Sequence, residues 1–367
     1  MFFLTTSFDW SISLSMNKEN KINRSIESND DCYEQKNLGK RSVTRNFKNR
    51  LILGFLLGAV FIYLSLRGIN FEEVATSFRT IHYIYIIPVL FILLFVHYLR
   101  SYRWGMILSP MEKIDQRSLF SVTCVGFLAI VAIPARIGEL ARPYLISHKS
   151  NVTMSSALGS VFLERMFDIL TILILFFIVA FLTPMPSWLM KSAIVFFVLI
   201  LFVLALMILL LINRGAFFRI VNPVISKLPE KYFHRVEDLI DHFIRGFKMV
   251  ANPGLILCVT FLSLLIWVAG ALAIYILFSA FDFQLPLTAA FAVMVVVIAG
   301  TSIPTAPGFV GNFHFFCILG LEFLGIPKVD AVTYAVLYHF LSIGLAVGLG
   351  LIFLPFNMYF LSGWRKS

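Results

Sequence analysis

The sequence predicts an all-α integral membrane protein with six full transmembrane helices and two re-entrant helical hairpins arranged as an inverted repeat. Composition identifies the solvent: 59% of the 367 residues are hydrophobic, 14% are charged and the mean hydropathy is +0.88, whereas a soluble domain carries about a quarter charged residues. Two long apolar stretches, 118–149 and 286–327, supply the hairpins, because each is broken in its middle by proline and glycine. In lipid, irregular backbone survives only where protein or a water-filled cavity satisfies its freed N–H and C=O groups. The Lys and Arg residues set the orientation, since basic residues collect in cytoplasmic loops.

Residues 1–49 lack a secretory pattern and become polar and charged after residue 16, so they read as a disordered cytoplasmic tail. Lys36, Lys40, Arg41, Arg45, Lys48 and Arg50 stand just before the first apolar run and hold the N-terminus inside. The first span is 51–66, followed by an interfacial segment, 68–82, with Glu72, Glu73 and Arg79. The second span, 81–99, ends in Arg100, Tyr102, Arg103 and Trp104, the composition of an ordinary interface anchor, and His82 and His97 read as interfacial too.

If the first broken stretch simply crossed the membrane, the loop 213–252 with Arg214, Arg219, Lys227, Lys231, Arg235, Arg245 and Lys248 would lie outside. That violates the charge rule, and a hairpin entering and leaving from the cytoplasm removes the violation. Residues 153–182 then cross outward, 183–188 form an uncharged outer turn and 189–212 return. Within 213–252, Phe233, Val236, Ile240, Phe243 and Phe247 recur at helical spacing among charges, as in an amphipathic helix on the inner surface. Residues 254–280 cross outward, the second broken stretch enters from outside, and 331–356 return to a short cytoplasmic tail, 361–367. The membrane domain is therefore 50–360, with repeat halves at about 81–182 and 254–356. Broken segments in matching places of two halves point to a transporter with a binding site near the bilayer midplane.

Charges stranded in apolar sequence mark the candidate site. They are Arg136, Glu139 and Arg142 in the first hairpin and Glu164, Arg165 and Asp168 near the start of the third span. An ionised side chain at mid-bilayer costs about 2.5–3.5 kcal/mol even on the lenient insertion scale, so these must pair. Arg136 with Glu139, Glu139 with Arg142 and Arg165 with Asp168 are three apart on a helical face. Glu139 and Arg165 are also expected to meet across the hairpin and the span. Glu164 and Asp168, four apart, are like charges on one face, so a cation must sit between them or a proton be held. Pro134 suits the first turn of a half-helix whose open N–H groups, with Arg136, would face an anion, and Gly138 lies in the same break. In the second break Pro304 interrupts the helix, Thr305 suits a cap, Pro307 a first turn, and Gly308 and Gly311 a close approach. The competing account is that these residues only pin the hairpins through salt bridges and caps.

The motifs P-A-R-I-G-E-L-A-R-P (134–143), S-S-A-L-G-S-V-F-L-E-R-M-F-D (155–168) and P-T-A-P-G-F-V-G-N-F-H (304–314) resemble the lysylphosphatidylglycerol synthase transmembrane family, also called the flippase-like domain family. The likeness covers roughly 46–360 and implies a protein that moves, or helps handle, a lipid with a charged headgroup. Bifunctional members carry an aminoacyl transferase domain, and none follows Trp364 here, so lipid synthesis is not implied. Family members tend to have glutamate at the position of His314 and arginine where this chain has Tyr338, His339 and Phe340. The corresponding pair in the first half would be Glu139 and Arg165, so two histidines replace an ion pair and open a step sensitive to pH near neutrality.

The expectation is a lipid flippase of the cytoplasmic membrane with both termini cytoplasmic and no enzymatic activity of its own. The headgroup phosphate would lie near Arg136, Arg165 and the hairpin N-termini, with Gly308, Gly311, His314 and His339 on the other side. An ion- or proton-coupled exporter of a small polar solute is the alternative transporter. A membrane-embedded transferase acting on lipid would need Glu164 and Asp168 as its carboxylates. Membrane lipids are the expected partners, together with a separate lipid-modifying enzyme or a second copy of the chain. Nucleic acid is excluded, because the +10 net charge flanks apolar runs. The four cysteines show no metal spacing, and no cofactor motif is present.

Overall fold

The computed structural model describes residues 53–133, 138–182, 252–303 and 305–358, with scattered residues of 191–205 and 246–249. The predicted tails 1–49 and 361–367, the outer turn 183–188, most of the span 189–212, most of the amphipathic segment 213–252, and Pro134, Arg136 and Pro304 lie outside them. Among the described residues the structure is helical, without strands. Three helices are long and apolar enough to cross a membrane: Tyr83–Leu108, Pro253–Ala280 and Lys328–Phe353. A fourth span is made if Leu53–Leu66 (α1) and Phe71–Arg79 (α2) count as one, bent by 78°.

The bend has a local cause. Gly68 takes a positive φ of 76°, and Asn70 then caps α2 by accepting the Glu72 N–H at 3.0 Å. Glu72 and Glu73 open the helix and Arg79 closes it, each at the end where the helix dipole favours its charge.

Helix α3, Ile86–Leu108, runs nine residues beyond the predicted end of the second span. Arg100 and Arg103 therefore lie inside the helix and not at its edge, which corrects their assignment as interface anchors. Helix α4, Gln116–Ala132, is capped by Asp115, whose carboxylate accepts the Ser118 N–H at 2.8 Å. It stops at Ile133, which is extended (φ −102°, ψ 119°) as a residue before proline must be. The short α5, Ala141–Lys149, returns, and α6, Met154–Leu182, follows with 29 residues. The second group repeats the sequence of lengths: α7 (Pro253–Ala280), α8 (Leu287–Thr301), α9 (Asn312–Phe323) and α10 (Lys328–Phe353).

The packing carries the same parallel. Helices α3 and α7 pack on each other; α4 packs on α10 while α8 packs on α6; and α4 pairs with α5 as α8 does with α9. In each hairpin a glycine of the first helix lies under a side chain sixteen residues later. A Cβ on Gly126 would stand 2.2 Å from Arg142 Cγ, and one on Gly300 would stand 2.1 Å from Phe316 Cδ2. Gly138 likewise lies against the α4 backbone at Ala129, where no side chain fits.

Candidate functional site

The stranded charges of the first group converge on one side chain expected at the interface. Arg103 of α3 is almost fully buried and reaches between the two carboxylates of α6. Its Nη1 donates to Asp168 Oδ1 at 2.6 Å and to Ser263 Oγ at 2.7 Å, and its Nη2 donates to Glu164 Oε1 at 3.0 Å. This is the cation that the Glu164 and Asp168 spacing demands. Breaking such a buried network by removing one partner costs about 3–5 kcal/mol, because the other charges stay buried.

The remaining charges complete the cluster. Arg142 approaches Glu164 Oε2 at 3.0 Å without hydrogen-bond alignment, and its guanidinium lies 4.3 Å over the Trp104 ring. It therefore turns to Glu164 of α6, a partner that the spacing within its own helix does not name. Gly126 makes room for its stem and Trp104 closes the other side, with the indole N–H donating to Ser160 Oγ at 3.1 Å. Arg165 lies 3.4 Å from Asp168 Oδ2 and 3.8 Å from Glu164 Oε1, remains one-third exposed, and stands within electrostatic range of Glu139. Trp267 of α7 donates its indole N–H to Asp168 Oδ1 at 3.1 Å, which ties the second group to the cluster. Glu164 and Asp168 thus serve as anion partners for arginine, an arrangement unsuited to the acid–base pair a transferase would need.

The second group builds its site without formal charge. His314 and His339 face each other with ring centroids 4.5 Å apart, and His339 Nε2 lies 2.8 Å from the Gly308 carbonyl, to which its N–H donates. Helix α9 begins at Asn312 after Gly311, so Thr305 is not its cap; the Thr305 hydroxyl is buried without a hydrogen-bond partner among the described residues. Pro307 starts a separate single turn, Pro307–Phe309, in which Gly308 has a φ of 69°. Asn312 Nδ2 holds this tip by donating to the carbonyls of Gly300 and Ile303, both at 3.1 Å. A Cβ on Gly311 would stand 2.4 Å from the Gly58 carbonyl oxygen, and Gly54 and Gly58 of α1 abut Thr305 and Ala306. Small residues four apart let the helix and the tip approach this closely.

The two tips adjoin, since the Pro307–Phe309 turn packs on α4 and Gly308 lies near Val131. The structure thus brings Arg142, Glu164, Arg165 and Asp168 together with Glu139 nearby, and separately Gly308, Gly311, His314 and His339. Arg103 and Trp104, expected as interface anchors, and Ser263 and Trp267, on which the sequence gives no expectation, also belong to the cluster. The available signal was the apolar run after Arg103, which keeps α3 in the membrane. His97, expected at the interface, is buried with its ring against Phe127. His82 is exposed and lies 3.1 Å from Asp282, as an interfacial residue can. No group of three or more His, Cys, Asp or Glu suited to a metal ion occurs among the described residues.

Comparison with known proteins bears on the whole of this region. The family model for the lysylphosphatidylglycerol synthase transmembrane region matches residues 51–350. A UPF0104 membrane protein of Methanocaldococcus jannaschii is 29% identical over 213 residues, covering 57% of this chain and 86% of that protein. Another, from Methanothermobacter thermautotrophicus, is 21% identical over 325 residues, covering 84% and 96% respectively. No solved structure matches the chain significantly.

Proposed function

We propose, from the premise that the chain belongs to the lysylphosphatidylglycerol synthase transmembrane family, that it is a flippase for a lipid with a phosphate-bearing headgroup. The observation that carries this reading is the charge cluster, in which Arg100, Arg103, Arg142 and Arg165 outnumber Glu139, Glu164 and Asp168 inside an apolar helical frame. Surplus positive charge held in the membrane suits an anionic headgroup, and the family's description itself refers to the synthesis of a phosphatidylglycerol derivative. The headgroup passes between the two hairpin tips while the acyl chains stay in lipid.

In the same reading the protein has six spans and two re-entrant hairpins, and α3–α6 and α7–α10 are inverted repeats. The exchangeable packing and the matched Gly126–Arg142 and Gly300–Phe316 contacts support it. Both termini lie in the cytoplasm, the protein resides in the cytoplasmic membrane, and Arg136, Glu139, Gly308, Gly311, His314 and His339 line the path.

The test is reconstitution into liposomes containing a trace of head-labelled fluorescent phosphatidylglycerol, with dithionite added outside. Flipping makes the inner-leaflet label quenchable within minutes, faster than in vesicles without protein. Quenching that stops at the outer leaflet for every anionic lipid tried would overturn the reading.

A further inference from the structure

Four guanidinium groups share the two carboxylates of α6, and the pairing leaves one over. Asp168 Oδ1 accepts from Arg103 and Trp267 and its Oδ2 faces Arg165; Glu164 Oε1 faces Arg103 and Arg165 and its Oε2 faces Arg142. Arg100 has no hydrogen bond or ion pair among the described residues. Its contacts are aromatic faces, with Cζ 5.2 Å from the Phe127 ring centroid on α4 and 5.7 Å from that of Trp267 on α7. Rings hold the plane of a guanidinium and leave its N–H edge open. Arg100 is partly buried, and eight residues of helix, about 12 Å, separate it from the α3 terminus at Leu108. Asp168 acts on it across space but gives it no acceptor.

A second orphan lies one turn earlier on the same helix. His97 is 9% exposed, sets its ring edge-on to the same Phe127 ring at 5.1 Å, and has a buried Nδ1 with no hydrogen-bond partner. Two nitrogen groups without acceptors, three residues apart on α3, therefore meet one aromatic wall where α3, α4 and α7 come together.

The geometry points to an anion seat formed by Arg100 and His97, which receives the phosphodiester of the transported lipid. Arg100 offers a forked pair of N–H donors matched to two phosphate oxygens, and His97 adds a third when Nδ1 carries its proton. Charge selects the class of ligand. Among the described residues guanidinium outnumbers carboxylate here, so the missing partner is an anion, and a phosphodiester supplies the paired oxygens that a guanidinium fork takes. The inference rests on the flippase reading for the lipid but not for the anion.

The experiment measures binding of dihexanoyl-phosphatidylglycerol and of inorganic phosphate to the purified full-length protein in a neutral detergent, alongside thermal midpoints. The short-chain lipid is expected to bind and to raise the midpoint, with inorganic phosphate much weaker. Arg100→Gln should lose at least tenfold in affinity, and His97→Phe several-fold. Without ligand the Arg100→Gln midpoint should change little, because ring contacts but no hydrogen bond or ion pair are lost. Arg100→Lys keeps charge and ring contact without the fork, so it should be stable and bind poorly. Wild-type affinity in Arg100→Gln or Arg100→Lys would overturn the seat, even if vesicles still flip lipid and the flippase reading survives. Equal binding of inorganic phosphate and lipid, both lost in Arg100→Gln, would uphold the seat and count against the lipid. A large fall in the Arg100→Gln midpoint with binding unchanged would make Arg100 a structural clamp and overturn the proposal.

Discussion

The groups α3–α6 and α7–α10 use one packing scheme for opposite chemistry. In the first, Gly126 accommodates the stem of Arg142, and the returning helix delivers a cation to Glu164. In the second, Gly300 accommodates Phe316, and the returning helix delivers His314 to His339. The first group is tied together by ion pairs that join α3, α5 and α6. The second is held by neutral hydrogen bonds from Asn312 and His339 to backbone carbonyls and by contact with Gly54 and Gly58. Hairpin construction is thus independent of charge: small residues and prolines build the frame, and the side chains set into it decide what the site can bind.

The largest effect that would sharpen this contrast comes from Arg103. Arg103→Leu strands Glu164 and Asp168 and should destabilise by about 3–5 kcal/mol, with little folded protein on size exclusion. Adding Asp168→Asn, which removes one surplus acid and leaves Glu164 paired with Arg142 and Arg165, should recover part of the folded peak without restoring lipid movement. If Arg103→Leu alone is as stable as wild type, the network does not hold the first group together. Next is Gly126→Ala, which drives a methyl into the Arg142 stem and should cost about 1–3 kcal/mol in a thermal melt, as overpacking does. Gly344→Ala is its control, since a Cβ there meets nothing within 4 Å. Equal melts for the two would mean that Arg142 is not fixed where the contrast needs it.

A smaller effect, about 1 kcal/mol given the partial exposure of Arg165, is expected from Glu139→Arg; Arg165→Glu falls further, because it also sets a carboxylate beside Glu164 and Asp168. The exchanged double variant should recover expression and transport above either single change; no recovery would dissociate Glu139 from the charged tip. The smallest effect belongs to the neutral tip. His314→Gln with His339→Gln keeps a donor for the Gly308 carbonyl, so stability should barely change. Transport should lose its dependence on pH on the acid side of neutrality, where two facing imidazoles take up a proton. An unaltered pH profile would reduce the pair to polar packing.

The legible parts of this molecule are those governed by the backbone. Ile133 is extended because a proline follows, Gly308 and Gly311 have positive φ, and α2 begins at an asparagine cap, all of which residue type announces. The demand for a cation between Glu164 and Asp168 also follows from helical spacing. The identity of that cation does not, because periodicity describes a helix's own face and is silent about the neighbour that covers it. Arg103 is hidden for a further reason: hydropathy scores arginine as the end of a span, yet a guanidinium with acceptors on α6 and α7 is stable within one. Thr305 fails as a cap because Gly311 lets the chain turn later and Asn312 ties the tip from inside α9.

The charged cluster serves a site within the membrane only if the first hairpin turns back there. Single cysteines at Lys149, Ser187 and Ser226, probed in intact cells and in inside-out vesicles with an impermeant maleimide, test this directly. The account predicts labelling of Lys149→Cys and Ser226→Cys from the cytoplasmic side alone and of Ser187→Cys from the outside. Labelling of Lys149→Cys from the outside, opposite to Ser226→Cys, would make α4 a complete crossing and contradict both the re-entrant hairpin and the inverted repeat.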